Sequence, residues 1–187
     1  MTPILDIPEV RKRVSRLSVE EYHRLGEFNE NGRRTELVRG IVIEKMSKSP
    51  LHVFLAERIR ELLQRSVSKD FLIRVESPLT LADSEPEPDI AIMRGQGTDF
   101  RLAHPRTAEL VVEIAISSVA LDRESAVLYA EAGVKEYWIV LAGTRQIEVY
   151  RGPTAGDYLD RQILTVGQII ESSAIPGMRI GVTDVFE

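Results

Sequence analysis

The chain predicts a mixed α/β (α+β) fold: one central sheet flanked by helices, with extra short strands towards the C-terminus. Three observations predict it. Short, almost wholly apolar runs such as Leu110–Ile116 and Tyr137–Leu141 read as central strands covered on both faces. Two longer segments after Ser49 and Ser118 carry helical spacing behind helix-start signals. The order is helix, hairpin, helix, several strands, helix, strands, which suits helices packed on a single sheet. No repeat, low-complexity run or linker interrupts the 187 residues, so one domain is expected over 1–187. Its parts are a leader at 1–16, a core at about 17–150 and C-terminal strands at 151–187.

Along the chain, Ser18 and Glu21 form a capping box that opens a helix at Val19–Leu25. Gly26 and Asn29–Gly32 end it in a loop. Thr35–Met46 reads as a hairpin turning at Gly40, with Glu36 in its first strand. Ser49-Pro50 starts a helix that reaches Ser66, with Leu55, Ile59, Leu62 and Leu63 as its inward stripe. His52 lies on the buried face of its first turn, as a packing histidine or as a group reaching a site.

Phe71–Leu81 alternates as a strand and contains Glu76. The prolines of Asp83–Pro88 forbid regular structure and deliver the chain to Asp89. Ile90–Met93 is a short strand, and Glu109–Ile116 follows after a loop. Ser117-Ser118 caps a helix at Val119–Ala132, stopped by Gly133. Its inward stripe is Leu121, Leu128, Tyr129 and Ala132, and Ser125 shares that face. Further strands are expected at Glu136–Leu141, Arg145–Tyr150, Tyr158–Leu164, Gln168–Glu171 and Ile175–Ile180.

The net charge of −5 argues against a broad, non-specific coat for nucleic acid. Arg11, Lys12, Arg13 and Arg16, and then Arg33 and Arg34, form local basic clusters that suit solvated faces. With no cysteine there are no disulfides, thiolate metal sites or cysteine nucleophiles, and a cytoplasmic location is expected. Three scattered histidines make a histidine-rich zinc site a poor fit. No segment approaches the ~20 apolar residues that span a bilayer, so no membrane partner is expected.

The chemistry gathers on two acids. Val111, Glu113 and Ala115 share one face of their strand, so Glu113 is a carboxylate inside a buried run. Such a charge is costly unless compensated. Asp89 stands at the head of a neighbouring strand. The pair suits a hard divalent cation. The plainer alternative is that Asp89 closes a strand end and Glu113 pairs with an arginine. Glu36 adds a third acid in a strand. Three carboxylates around one pocket could bind Mg²⁺ or Mn²⁺, stabilise charge on a phosphate oxygen and lower the pKa of a bound water, which suits phosphodiester hydrolysis. A carboxylate-pair glycosidase fits less well, because aromatics are only 6% of the chain and do not cluster near the acids.

Several segments together carry a resemblance. They are Glu36-Leu37-Val38-Arg39-Gly40, Met46-Ser47 before His52, Ser84-Glu85-Pro86-Glu87-Pro88-Asp89, Leu110-Val111-Val112-Glu113-Ile114, Tyr129-Ala130 with Ala132-Gly133-Val134, Glu136-Tyr137-Trp138-Ile139-Val140, and Val149-Tyr150. In this order, over Leu17–Tyr150, the chain resembles the Uma two family of proposed bacterial restriction endonucleases, within the PD-(D/E)XK nuclease superfamily. The resemblance implies a restriction-endonuclease-like core and a DNA substrate. It implies Asp89 and Glu113 as the acids of the motif and Glu36 as an additional one; the three are expected to bind the metal and act in catalysis, with His52 or Glu76 assisting from the rim. It also implies a homodimer. The superfamily lysine would stand two residues after Glu113, at Ala115; in this family it looks moved to the next helix, where this chain has Ser125. Lys45, Lys48 and Lys135 are the candidate substitutes. The departure at Ser125 opens a second expectation: a weakened or inactive member that keeps the fold as a nucleic-acid-binding or interaction protein.

Overall fold

The computed structural model describes residues 6–26 and 32–187, and its contacts divide the chain into two compact units. The first spans Met1–Lys45 with Ala82–Glu85; the second spans Met46–Leu81 with Pro86–Glu187. Residues 1–5 of the expected leader and Asn29–Asn31 of the expected loop lie outside the described residues.

In the first unit, α1 (Pro8–Arg11) is a single turn and α2 (Val19–Gly26) begins at the expected capping box. The Glu21 amide donates to Ser18 Oγ at 3.2 Å, and the Ser18 amide donates to Glu21 Oε2 at 2.8 Å. Strands β1 (Thr35–Val38) and β2 (Ile41–Glu44) pair antiparallel around Arg39-Gly40. Both turn residues have positive φ, 52° and 75°, the combination that matches hairpin twist. The segment Ala82–Glu85 lies beside β1: the Glu85 amide donates to the Leu37 carbonyl at 2.7 Å. Within this unit His23 Nε2 meets Glu85 Oε1 at 2.7 Å.

The second unit holds a six-stranded sheet in the order β3 (Phe71–Val75), β4 (Ile90–Arg94), β5 (Leu110–Ala115), β6 (Glu136–Leu141), β7 (Gln146–Pro153), β8 (Tyr158–Thr165). Only β5 and β6 run parallel, and α4 (Val119–Glu131) makes their crossover. The sheet is therefore mixed, as expected. Alternation divides β5 between two cores. Val112 and Ile114 pack with Leu55, Ile59 and Leu63 of α3 (Pro50–Ser66). Val111 and Ala115 pack with Ala126, Tyr129 and Ala130 of α4. Burying this apolar surface at roughly 25 cal/mol per Å² is the main force holding both layers to the sheet.

Several expected elements differ. The strand from Phe71 stops at Val75, because Glu76 turns to a φ of 45°. The last expected strand shrinks to β10 (Arg179–Gly181), paired with β9 (Ile169–Glu171), and a closing helix α5 (Val182–Phe186) was not foreseen. In α4, Leu128 and Tyr129 are buried and Ala132 packs against the core as expected, but Leu121 is 44% exposed, and Ala126 and Ala130 are buried beside Tyr129. Ser118 makes no capping bond to the helix backbone, and its hydroxyl goes to Asp122 Oδ2 at 2.7 Å. The other chain segments match to within a few residues, including α3 with Ser49 accepting the His52 amide.

Candidate active site

Asp89 and Glu113 meet where β4 and β5 pair. Antiparallel register sets Ile90 opposite Val112, so the residue before β4 comes alongside Glu113. The Asp89 amide donates to Glu113 Oε2 at 3.1 Å. In return, the Ile114 amide donates to Asp89 Oδ2 at 2.8 Å. Each acid is thus fixed by main chain at the other's position.

His52 comes from the first turn of α3, where the cap orients the helix start. Its Nε2 lies 3.0 Å from Asp89 Oδ2, and its buried Nδ1 has no hydrogen-bond partner among the described residues. His52 is thus a buried histidine bonded to an acid, which both sequence readings allow. Lys48 stands just ahead of the cap. Its Nζ donates to Asp89 Oδ1 at 2.7 Å and lies 2.9 Å from Glu76 Oε1. Glu76 occupies the left-handed region, which costs a non-glycine residue roughly 1–2 kcal/mol. That outlier sits beside the acid pair, where backbone strain tends to gather.

Two neighbouring acids at one strand junction are driven apart in proton affinity. Burial would push Asp89 up, but hydrogen bonds from His52 and Lys48 outweigh it and hold the carboxyl below its usual range. Glu113 is raised well above, by burial first and then by the charges of Asp89 and Asp122. Among the described residues its support is the Asp89 amide and the Tyr129 hydroxyl, which donates to Oε1 at 2.8 Å. Part of Glu113 still reaches solvent. Lys48 is raised: burial lowers it, but its bonds to Asp89 and Glu76 outweigh that.

A comparison among buried acids isolates Glu113. Glu109 is held by Lys135 at 2.7 Å. Glu136 accepts from the Trp138 indole at 2.8 Å and has the Arg151 guanidinium at 3.5 Å. Glu148 is gripped by Arg123 and by Arg161, the latter at 2.7 Å. Among the described residues no lysine or arginine bonds to Glu113, so the arginine-pairing alternative is not what the structure holds. Glu148 escaped notice in the sequence, although it sits in an apolar strand as Glu113 does; strand pattern alone does not distinguish a neutralised acid from an open one.

Two further candidates have partners within their own units. Glu36 belongs to the first unit, where Lys45 Nζ lies 3.8 Å from its Oε2. Ser125 is partly buried, and its hydroxyl donates to the Leu121 carbonyl at 3.0 Å. Of the three candidate lysines, Lys48 is the one bonded to Asp89.

Among the described residues no three His, Cys, Asp or Glu side chains are arranged as a metal cage. The residues at Asp89 and Glu113 nonetheless fit Mg²⁺ or Mn²⁺. Both donors are hard oxygens, and Mg²⁺ usually takes one or two carboxylates and keeps its waters. A cation there would relieve the repulsion that raises Glu113.

The sequence model of the Uma2 family, described as "Putative restriction endonuclease", matches residues 19–183. No curated protein matches the chain. Among solved structures, a crystal structure described as a "putative nuclease belonging to DUF820" from Anabaena variabilis ATCC 29413 is similar, with 15% identity and a TM-score of 0.76. The likeness covers 91% of this chain and 97% of that one, and it bears on the fold. No described helix is long and apolar enough to cross a membrane.

Proposed function

Starting from a chain that belongs to the Uma2 restriction-endonuclease family, we propose a metal-dependent endonuclease that hydrolyses phosphodiester bonds of DNA at Asp89 and Glu113. One observation carries this reading: Glu113 is a crowded carboxylate with no lysine or arginine bonded to it among the described residues, fixed crosswise to Asp89 where β4 and β5 pair. Bound Mg²⁺ or Mn²⁺ would stabilise charge on a phosphate oxygen and make its bound water a better nucleophile.

This chain's own residues do the rest. The Asp89 and Ile114 amides keep the two carboxylates in one orientation. His52 buttresses Asp89 from the α3 side and keeps it ionised. Tyr129 fixes the other face of Glu113. Glu76 assists from the rim through its ion pair with Lys48. A cytoplasmic homodimer would bring two such sites to the two strands of a duplex.

Plasmid nicking tests the activity. It should require divalent metal and vanish in Glu113→Gln; nicking that survives this change would rule out the site. A second reading has an observation in its favour. Ser125, at the family's lysine position, keeps its hydroxyl on its own helix. This suits a member that binds nucleic acid or a partner without cutting it. Mn²⁺ binding without any nicking would favour that reading.

A further inference from the structure

We propose that Lys48 is the cationic catalytic residue of this site: its ammonium gives up Asp89 for a non-bridging oxygen of the scissile phosphate, while Glu76 keeps hold of it. The inference rests on the endonuclease reading and names a residue that reading leaves open.

Four acids crowd the place where a phosphodiester anion must come. Asp89 and Glu113 are in contact, Asp122 acts on Glu113 through its charge, and Glu76 lies across Lys48. A bound divalent ion offsets only part of that. Among the described residues, Lys48 is the one lysine or arginine bonded to the acid pair. Its side chain is only 20% exposed. The backbone next to it is set by the Ser49 cap and by Pro50 at the start of α3. The ammonium therefore returns to one place. The Asp89 oxygen that it takes, Oδ1, is the one that neither His52 nor Ile114 uses. That oxygen is also the one free for a cation. Lys48 thus stands where a metal would compete with it, and Glu76 offers a second anchor once Asp89 is taken.

In the reaction a water oxygen bonds to phosphorus as the bond from phosphorus to the leaving oxygen breaks. The water proton passes to solvent, and the leaving oxygen takes a proton back from solvent. Lys48 keeps its own proton and supplies charge alone, as a preorganised electrostatic group does.

The test uses the full chain, with Mn²⁺ as the metal probe and supercoiled plasmid as substrate. Lys48→Met should lower metal-dependent cleavage about 100-fold. The same change should tighten Mn²⁺ binding by roughly tenfold, because an ammonium no longer competes for Asp89. Lys48→Arg, which keeps the charge and guards against a folding artefact, should retain more cleavage than Lys48→Met at an equal melting temperature. Cleavage by Lys48→Met within about threefold of the unmutated protein would overturn the proposal. So would Mn²⁺ binding that weakens together with cleavage, as loss of a merely structural ion pair would cause. If the unmutated protein neither binds Mn²⁺ nor cuts, the endonuclease reading itself fails and this proposal goes with it.

Discussion

Asp89 and Glu113 are bound crosswise. The amide of Asp89 donates to Glu113 Oε2, and the amide that follows Glu113, at Ile114, donates to Asp89 Oδ2. Two neighbouring acids are thereby held in place by neutral donors. The unequal treatment of the pair follows. Asp89 has His52 and Lys48 and stays ionised; Glu113 has a tyrosine and holds its proton to higher pH.

That asymmetry predicts pH-dependent metal binding. A cation on Glu113 must displace its proton. Mn²⁺ affinity should therefore fall as pH drops below the raised value, with proton release on binding. Calorimetry in buffers of different ionisation enthalpy, between about pH 5.5 and 8, would count the protons. In Glu113→Gln the release should disappear.

The same residue should leave a mark on stability. The folded state holds the Glu113 proton more tightly than the unfolded chain does. Stability is then highest below the unfolded value and is lost as pH rises towards the folded one. Glu113→Gln should flatten that decline in melting temperature. A parallel decline in both proteins would mean that other groups cause it.

His52→Ala should weaken metal binding more than folding. It removes the bond that keeps Asp89 low and leaves a buried carboxylate with one donor fewer, which costs about 1–3 kcal/mol. Loss of an outer partner of this kind typically lowers metal affinity by about 10–100-fold. Urea unfolding and a Mn²⁺ titration of the same variant separate the two effects.

Ser125→Ala should leave nicking within about twofold, because the hydroxyl bonds a helix carbonyl and an exchange of this kind near a surface is usually worth under ~0.5 kcal/mol. A large loss would return Ser125 to the active site.

Glu148→Leu tests the contrast with Glu113. Glu148 is completely buried between Arg123 and Arg161 and accepts from the Tyr150 hydroxyl. Both guanidinium groups are nearly half exposed, so solvent takes them up when Glu148 is removed, and stability should fall only modestly. Denaturant midpoints would measure this, and metal binding should be untouched.

Much of this was legible in the residues. The alternation around Glu113 placed it and its neighbours on the correct faces of β5, because a two-residue period admits no other division once both faces are buried. Ser49-Pro50 fixed the start of α3 and so the inward turn of His52. Local patterns carried these elements. The Lys48 contact was not legible, since it joins a helix cap to a strand far along the chain and depends on where the first turn of α3 meets β4. The early end of β3 at Glu76 depends on a backbone angle that no propensity announces. Leu121 has the spacing of the inward stripe but lies in the first turn of α4, where it is left 44% exposed. The acids deceived in another way: Glu109, Glu136, Glu148 and Glu113 look alike as text, and only their partners separate them.

Titrating Mn²⁺ into the unmutated protein and into Asp89→Ala tests the centre of this account most directly. Saturable binding by the first, weakened at least about tenfold in the second, is the expected result. Equal binding by both, or none by the unmutated protein, would contradict it.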